Sequence, residues 1–521
     1  MDMAIKLGML VIFFSIMIGV GLYCRKHSTD VDGFVLGGRS VGPWLTAFAY
    51  GTSYFSAVVF VGYAGQFGWK YGIAATWAGI GNALIGSLMA WAILGRRTRV
   101  MSQHLNSATM PQFFEGRFDS KALKLASSVI IFVFLIPYTA SLYNGLSRLF
   151  GMAFDIDYAV CVIVMAVLTA IYVIAGGYMA TAINDFIQGL IMLVGILAVI
   201  GAVLKSQGGF MEALKGLAQV TDPAVSDIPG AFNSFLGPDP ANLLGVVLLT
   251  SLGTWGLPQM VQKFYAIKSE KAINKGMIIS TVFALVVAGG CYFLGGFGRL
   301  FSDRIDLASG GYDSIIPTML SGLPSVLIAV VVVLVLSASM STLSSLVLAS
   351  SSTLTLDFIK GSLVKDLSQK KQLLIIRILI AVFITISVVI AIVQYNSNVT
   401  FIAQLMGISW GALAGAFLAP FLYGLYWKRT SVASIWVCFS FSTVVMLANT
   451  VANSLFPAIL QSPINAGVFC MLAGLVIVPV VSLFTRAPEK AFVDKVFSCY
   501  EKQVVVSATD AIGEPVKKEE K

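Results

Sequence analysis

Thirteen stretches of this chain are apolar for long enough to cross a lipid bilayer, and that property decides what it can fold into. A spanning helix needs about 20 consecutive apolar residues. Such runs occur near 4–23, 44–64, 72–95, 124–150, 157–176, 185–204, 241–261, 276–298, 324–352, 373–394, 401–426, 431–453 and 465–485. In lipid every backbone N–H and C=O must be paired within the protein, which a helix does by itself. The expected fold class is therefore an all-α membrane protein of about 13 transmembrane helices. Composition agrees: 57% of the 521 residues are hydrophobic and 11% are charged, against about 25% charged in a soluble domain. The run at 124–150 is long enough to tilt or to extend past the bilayer. The first run spans and has no small-residue cleavage site behind it, so it reads as a helix rather than a signal peptide.

Loop charge orients the spans. Most Lys and Arg lie in 25–39, 96–121, 262–275, 360–371, 427–429 and the tail from Arg486. With thirteen spans these segments share one side, which the positive-inside rule makes cytoplasmic. The N-terminus is then outside and the C-terminus inside, and the longer segments 205–240 and 299–322 are outside. The net charge of +9 is read as this topology signal. That account is more economical than contacts of 96–99 and 263–275 with anionic lipid. Residues 1–485 form a single transmembrane domain, and 486–521 a cytoplasmic tail whose last dozen residues, DAIGEPVKKEEK, read as solvated. Six scattered cysteines without a CxxC, and only His27 and His104, argue against metal or histidine-based chemistry.

Two spans carry residues that a lipid-facing helix avoids. The second contains AYGTSYFSAVVFVGYAGQ (49–66), and the seventh LLTSLGTWGLPQM (248–260), with Gly253, Gly256 and Pro258. Irregular backbone survives in a membrane only where protein buries it or it lines a cavity. A pair of interrupted spans in corresponding places of two halves points to a transporter binding site. The two breaks lie five spans apart, as inverted repeats over 44–206 and 241–426 require. Chance spacing of glycines, common in membrane helices, is the alternative.

The segment LSASMSTLSSLVLASSSTLT (336–355) holds 11 Ser and Thr among 20 residues. On a helix, Ala338, Ser341, Thr342 and Ser345 form one stripe. Such a stripe can bond across to a neighbouring helix, or offer oxygen ligands to a hard cation together with the freed carbonyls of a broken helix. Ser350 to Thr353 read as a helix-end cap or a water-facing run. Asp185, in AGGYMATAINDFIQGLIMLV (175–194), is either a helix-start carboxylate or an intramembrane acid marking an ion pathway, with Gln188 one turn on.

These residues carry a family likeness. LGGRSVGPWLTAF (36–48), LNSATMPQFFEGRFDS (105–120), ASMSTLSS (338–345) and GLYWKRTS (424–431) resemble the sodium:solute symporter family, nearest in loop motifs to its sodium/proline branch. The likeness covers about residues 5 to 485. It implies a leucine-transporter-like fold, two inverted five-helix repeats with flanking helices, working by alternating access. It also implies a sodium site made of the Thr52 and Phe55 carbonyls with Ala338, Ser341 and Thr342. A second sodium, held in some members, would fall on Asp185, Ser341, Ser344 and Ser345. The partners implied are a small solute, sodium as coupling ion and membrane lipid. No other cofactor, no nucleic acid and no enzymatic activity are expected, and a bacterial inner membrane is the expected location.

The solute pocket would be formed by Tyr54, Ser56, Tyr138, Thr254 and Trp255. Hydroxyl donors and aromatic walls suit an amino acid of the proline kind or a small carboxylate. Tyr138 matches the proline branch, whereas Tyr54 replaces its acid, and Thr250 and Thr254 replace aromatics. Sugar members carry Gln and Asn where this chain has Val59 and Tyr54, which makes a sugar or polyol the weaker alternative. SYFSAVVFVG (53–62) is closer to carriers of small carboxylates and of vitamins such as pantothenate. Among other classes, a channel would want repeated pore segments and a membrane sensor an appended signalling domain. An enzyme would want charged or histidine clusters at the membrane face. No pore repeat or appended domain is read in the sequence, and the charged loops read as topology signals; a membrane solute sensor without transport stays as the alternative from another class.

Overall fold

A computed structural model describes residues 2–25, 30–154, 157–223, 225–226, 228–307, 311–364, 366–397 and 402–501. Among these the chain is helical apart from turns, bends and two isolated bridges. The helices that matter here are α1 (Asp2–Cys24), α2 (Pro43–Tyr54), α3 (Val58–His104), α4 (Met110–Phe118), α5 (Lys121–Phe154), α6 (Tyr158–Ser206), α7 (Pro240–Gly256) and α8 (Pro258–Ala266). They continue with α9 (Glu270–Gly295), α10 (Ser325–Lys360), α11 (Gln369–Ser397), α12 (Ile402–Tyr426), α13 (Val432–Ala452), α14 (Pro463–Phe484) and α15 (Lys490–Phe497).

Ten of the described helices are long and apolar enough to cross a membrane, or eleven when α7 and α8, bent by 48°, count as one span. The sequence predicts thirteen, and the difference lies in α3 and α6. A straight helix of 49 residues, the length of α6, would run about 74 Å, far more than the ~30 Å hydrocarbon core. Gly177 breaks it with φ +56° and ψ −148°, and Gly72 breaks α3 with φ +61° and ψ −142°. Only glycine adopts that backbone without strain. Divided at these two glycines, and with α7–α8 as one span, the described residues give thirteen segments, the number read from the sequence.

Burial sorts the helices into an inner and an outer set. The apolar windows of α10 and α12 are 83% and 89% buried, those of α1 and α13 only 22% and 33%. The outer helices turn Val11, Ile12, Val444 and Phe484 outward, as a lipid solvent favours. Ser350 to Thr353 do not end a helix or meet water. They are buried, and α10 runs on past them. The tail begins with α15, which seats Val493, Val496 and Phe497 and is tied by Lys428 to Asp494 at 2.7 Å. The solvated end expected at 510–521 lies outside the described residues.

At the end of the bundle away from the basic loops, Asp313 accepts a hydrogen bond from Ile402 N at the start of α12, 3.2 Å away. Burial raises its carboxyl to about 6, against the lowering pull of that bond and of Arg148. The folded state thus holds this proton up to a higher pH than the unfolded chain. Its contribution is full below about pH 4 and lost as pH rises through 6. Asp313→Asn should therefore remove up to about 3 kcal/mol of pH-dependent stability between pH 4 and 6. Unfolding midpoints of both forms across that range would check it, and parallel curves would refute it.

Candidate ion and solute site

The site begins where α2 stops. Phe55 is extended at φ −96° and ψ 118°, and its N–H still reaches Gly51 O. The helix resumes at Val58, so carbonyls at the end of α2 have no helical N–H to accept. Opposite them, α10 presents its hydroxyl stripe. Ser341 Oγ lies 3.2 Å from Thr52 O and 3.1 Å from Ala338 O. Thr342 Oγ1 lies 3.2 Å from Thr52 O, 3.3 Å from Phe55 O and 3.1 Å from Ala338 O. All five residues are buried. The fold thus gathers the whole predicted set of Thr52, Phe55, Ala338, Ser341 and Thr342.

The proton count gives this cluster its character. Three carbonyl and two hydroxyl oxygens crowd together, and a hydroxyl has one proton to donate. Thr342 Oγ1 can satisfy only one of its three carbonyl neighbours, and Ser341 one of two. The remaining contacts set lone pair against lone pair in a buried place. A hard cation among five oxygens turns each of those contacts into an attraction.

One turn along α10 the chemistry changes. Lys263, on α8, donates from Nζ to Ser345 Oγ at 3.0 Å and stands 3.9 Å from Asp185 Oδ2. Ser345 Oγ is 2.9 Å from Ser53 Oγ, which donates in turn to Ala49 O at 2.5 Å. Ser344 spends its proton on Ser341 O at 2.9 Å. Asp185 is not at a helix start: it lies eight residues beyond the Gly177 break and is fully buried, so the capping account fails. Gln188 turns away to Met17 Sδ at 3.3 Å. Of the predicted second set, Asp185 and Ser345 meet through Lys263.

Lys263 is the residue that sequence reasoning misplaced. Counted with the basic loop 262–275, it instead rides on α8, which runs on to Ala266, and is 1% exposed. Its spacing from the Pro258 break was the available signal, because the half-helix after a break returns into the bundle.

The predicted solute residues divide. Tyr138 OH is buried with Ser56 Oγ and Trp410 Nε1 beside it, and the three polar atoms have no partner outside this group. The Tyr138 and Trp410 rings meet edge to face at 5.9 Å. Gly253, at the second break, leaves room for Trp410: a Cβ there would stand 2.9 Å from its ring. Trp410 therefore joins the predicted set. Thr254 and Trp255 face elsewhere with their polar atoms. Thr254 Oγ1 donates toward Gly86 O (3.1 Å) and Ser251 O (2.8 Å), and Trp255 Nε1 to Ile85 O at 3.0 Å. These bonds tie the second break to α3. The Tyr54 side chain lies outside the described residues. A cavity of about 1260 Å³ opens at the end away from the basic loops, with Gln66, Trp69, Tyr71, Tyr312 and Gln404 in its walls, but it does not reach Ser56 or Tyr138.

Known proteins resemble this chain in sequence and in fold. Residues 34–435 match the model of the sodium:solute symporter family. The sodium/proline symporter of Staphylococcus aureus (strain JH9) is 32% identical over 430 residues, covering 81% of each chain. Among solved structures, a Na+-coupled sialic acid symporter in a substrate-bound outward-open state matches with a TM-score of 0.75 at 17% identity. That match covers 93% of this chain and 98% of the other. An inward-facing Mhp1 matches with a TM-score of 0.50 at 13% identity, over 89% and 96%. The fold is the leucine-transporter-like one expected from the sequence.

Proposed function

Because this chain belongs to the sodium:solute symporter family, we propose that it imports proline or a closely similar small carboxylate on an inward sodium gradient. It is an integral membrane transporter and not an enzyme, with sodium as the coupling ion. The sodium/proline symporter relatives support the solute class. The single observation that carries the ion site is the surplus of oxygens over protons around Thr342 Oγ1. Sodium there draws the broken end of α2 onto α10. Phe55, whose carbonyl is one ligand, is followed directly by Ser56, so the ion shapes the wall on which solute rests.

The repeats proposed for alternating access are 44–206 and 241–426, each opening with a span interrupted at its middle, at Phe55 and at Leu257. The first N–H groups of a helix have no intrahelical partner and carry positive dipole. The half-helices beginning after Phe55 and at Pro258 therefore favour a solute carboxylate between them, beside Tyr138 and Trp410. In the positive-inside orientation, within a bacterial plasma membrane, the 1260 Å³ cavity faces outward, where solute enters. The opposite end is closed by Arg99 on Ile267 O (2.6 Å) and Arg117 on Gly424 O (2.8 Å). Each sodium moving inward adds about 2.3 kcal/mol per 100 mV of membrane potential.

Purified protein in liposomes should accumulate labelled proline, or one other amino acid or short carboxylate, under an inward sodium gradient and not when potassium replaces sodium. Pantothenate and sugars complete the panel. Accumulation of a sugar alone would overturn the solute class, and accumulation that ignores sodium would overturn the coupling. Tyr138→Phe should raise the KM of the transported solute about 5- to 15-fold, the worth of one buried hydrogen bond, with sodium dependence unchanged. An unaltered KM would remove Tyr138 from the pocket.

A further inference from the structure

The second oxygen cluster on α10 differs from the first in one respect that decides what it can hold. Its hydroxyls have the protons they need, and a charge stands beside its acid. Lys263 Nζ donates to Ser345 Oγ (3.0 Å), Ser345 to Ser53 Oγ (2.9 Å), and Ser53 to Ala49 O (2.5 Å). The run is directional and complete. Asp185 makes no hydrogen bond with either carboxylate oxygen, and its charge is met by the ammonium 3.9 Å away. The same ammonium lies over the Tyr178 ring, 5.1 Å from its centre, which adds a cation–π contact inside a dry site. Both partners of the ion pair are buried, with side-chain exposures of 2% and 0%.

We propose that the Lys263 ammonium is the resident second cation of this carrier, so that one sodium ion, and not two, binds and moves per cycle. A second sodium on Asp185 and Ser345 would have to sit beside a positive charge already bonded to Ser345. At a separation of ~4 Å and an effective dielectric of ~20, that repulsion weakens binding about a thousand-fold. Lys263 also ties three elements that the first site does not join. It is carried by α8, pairs with α6 through Asp185, and bonds α10 through Ser345. A covalently held cation therefore keeps the second break seated against α10 at every stage, and coupling is left to the sodium at Thr342. This count of one rests on the sodium reading of the first cluster, whereas the part given to Lys263 stands on its own contacts.

Counting bound 22Na+ on the purified full-length protein by scintillation proximity tests it. The wild type should hold one ion per chain. Lys263→Ala, which leaves Asp185 without its partner, should hold two, and Lys263→Ala/Asp185→Asn, with neither charge, should return to one. The double variant also guards against misfolding, since it removes the unpaired buried charge that the single variant creates. Two ions on the wild type would overturn the proposal, as would one ion on a folded Lys263→Ala. No ion on the wild type would overturn the sodium reading of the first cluster. In that event one ion gained by Lys263→Ala would still support the role of Lys263, and none would end it.

Discussion

Replacing Thr342 with alanine is expected to raise the sodium concentration for half-maximal uptake about 10- to 100-fold, with a smaller change in maximal rate. The estimate follows from what one ligand contributes. Removing a hydrogen-bonding or ligating oxygen from a charged partner in a buried place costs about 1.5–3 kcal/mol, and each 1.4 kcal/mol is a factor of ten. Thr342 Oγ1 is the oxygen with the most carbonyls around it, 3.1 to 3.3 Å from three, so its loss opens the cluster most. Ser341→Ala removes the other hydroxyl, which faces two carbonyls, and should shift sodium dependence in the same direction by less. Thr342→Ser keeps the oxygen and should stay near the wild type. Ser350→Ala is the control: its hydroxyl is on the same helix and buried, but has no hydrogen bond and belongs to neither cluster. Uptake measured against sodium at fixed ionic strength separates these outcomes. Unchanged sodium dependence in both Ser341→Ala and Thr342→Ala would mean that the lone pairs are relieved by something other than sodium.

Much of this site was legible in the sequence because it is made of local rules. Residues at i, i+3, i+4 and i+7 share a helix face whatever the fold, so Ser341, Thr342 and Ser345 were bound to flank one stripe with Ala338. Gly and Pro clustered within an apolar run, as at 253–258, mark where a helix can open. What sequence alone leaves open is which break meets which stripe, since α2 and α10 are almost three hundred residues apart. The family likeness supplied that pairing. Lys263 was lost for a related reason. In charge counting it belongs with its neighbours Lys268, Lys271 and Lys275, and only the return of α8 into the bundle separates it from them. Thr254 and Trp255 erred in the other direction. Hydroxyl and indole at a break look like solute ligands, but the indole hydrogen goes to a carbonyl of α3 and the hydroxyl lies between carbonyls of α7 and α3, where a π-helical stretch leaves carbonyls that its own ladder does not predictably fill. Trp410 could not be found from a motif. It becomes visible only when Gly253 and Tyr138 are seen on either side of it.

Gly295→Ala is expected to be among the most damaging single methyls at the described glycines, and the reason is geometric. A Cβ on Gly295 would stand 2.0 Å from Ala64 O and 2.6 Å from its carbonyl carbon, and one on Gly68 would stand 2.0 Å from Gly295 O. Both obstacles are backbone, so no rotamer change relieves them, and the end of α9 must separate from the first arm of α3. Overpacking a core costs 1–3 kcal/mol where side chains can move. Here the cost should exceed about 4 kcal/mol, in the range reserved for a few named kinds of lesion. That arm starts at Val58, just after the ligand carbonyl of Phe55 and the Ser56 hydroxyl, so moving it also displaces the site. The expected result is little folded protein in the membrane, with sodium-dependent uptake lost in whatever remains. Gly201→Ala is the matched comparison, because it is also helical and a Cβ there meets nothing within 4 Å. It should leave both yield and uptake near the wild type. Thermal unfolding of the two variants in the same detergent reads the difference directly. Near-equal midpoints would mean that the α3–α9 contact is looser than its backbone distances imply. The arm would then be free to move during the cycle, rather than serving as the fixed wall against which α2 and α10 close on the ion.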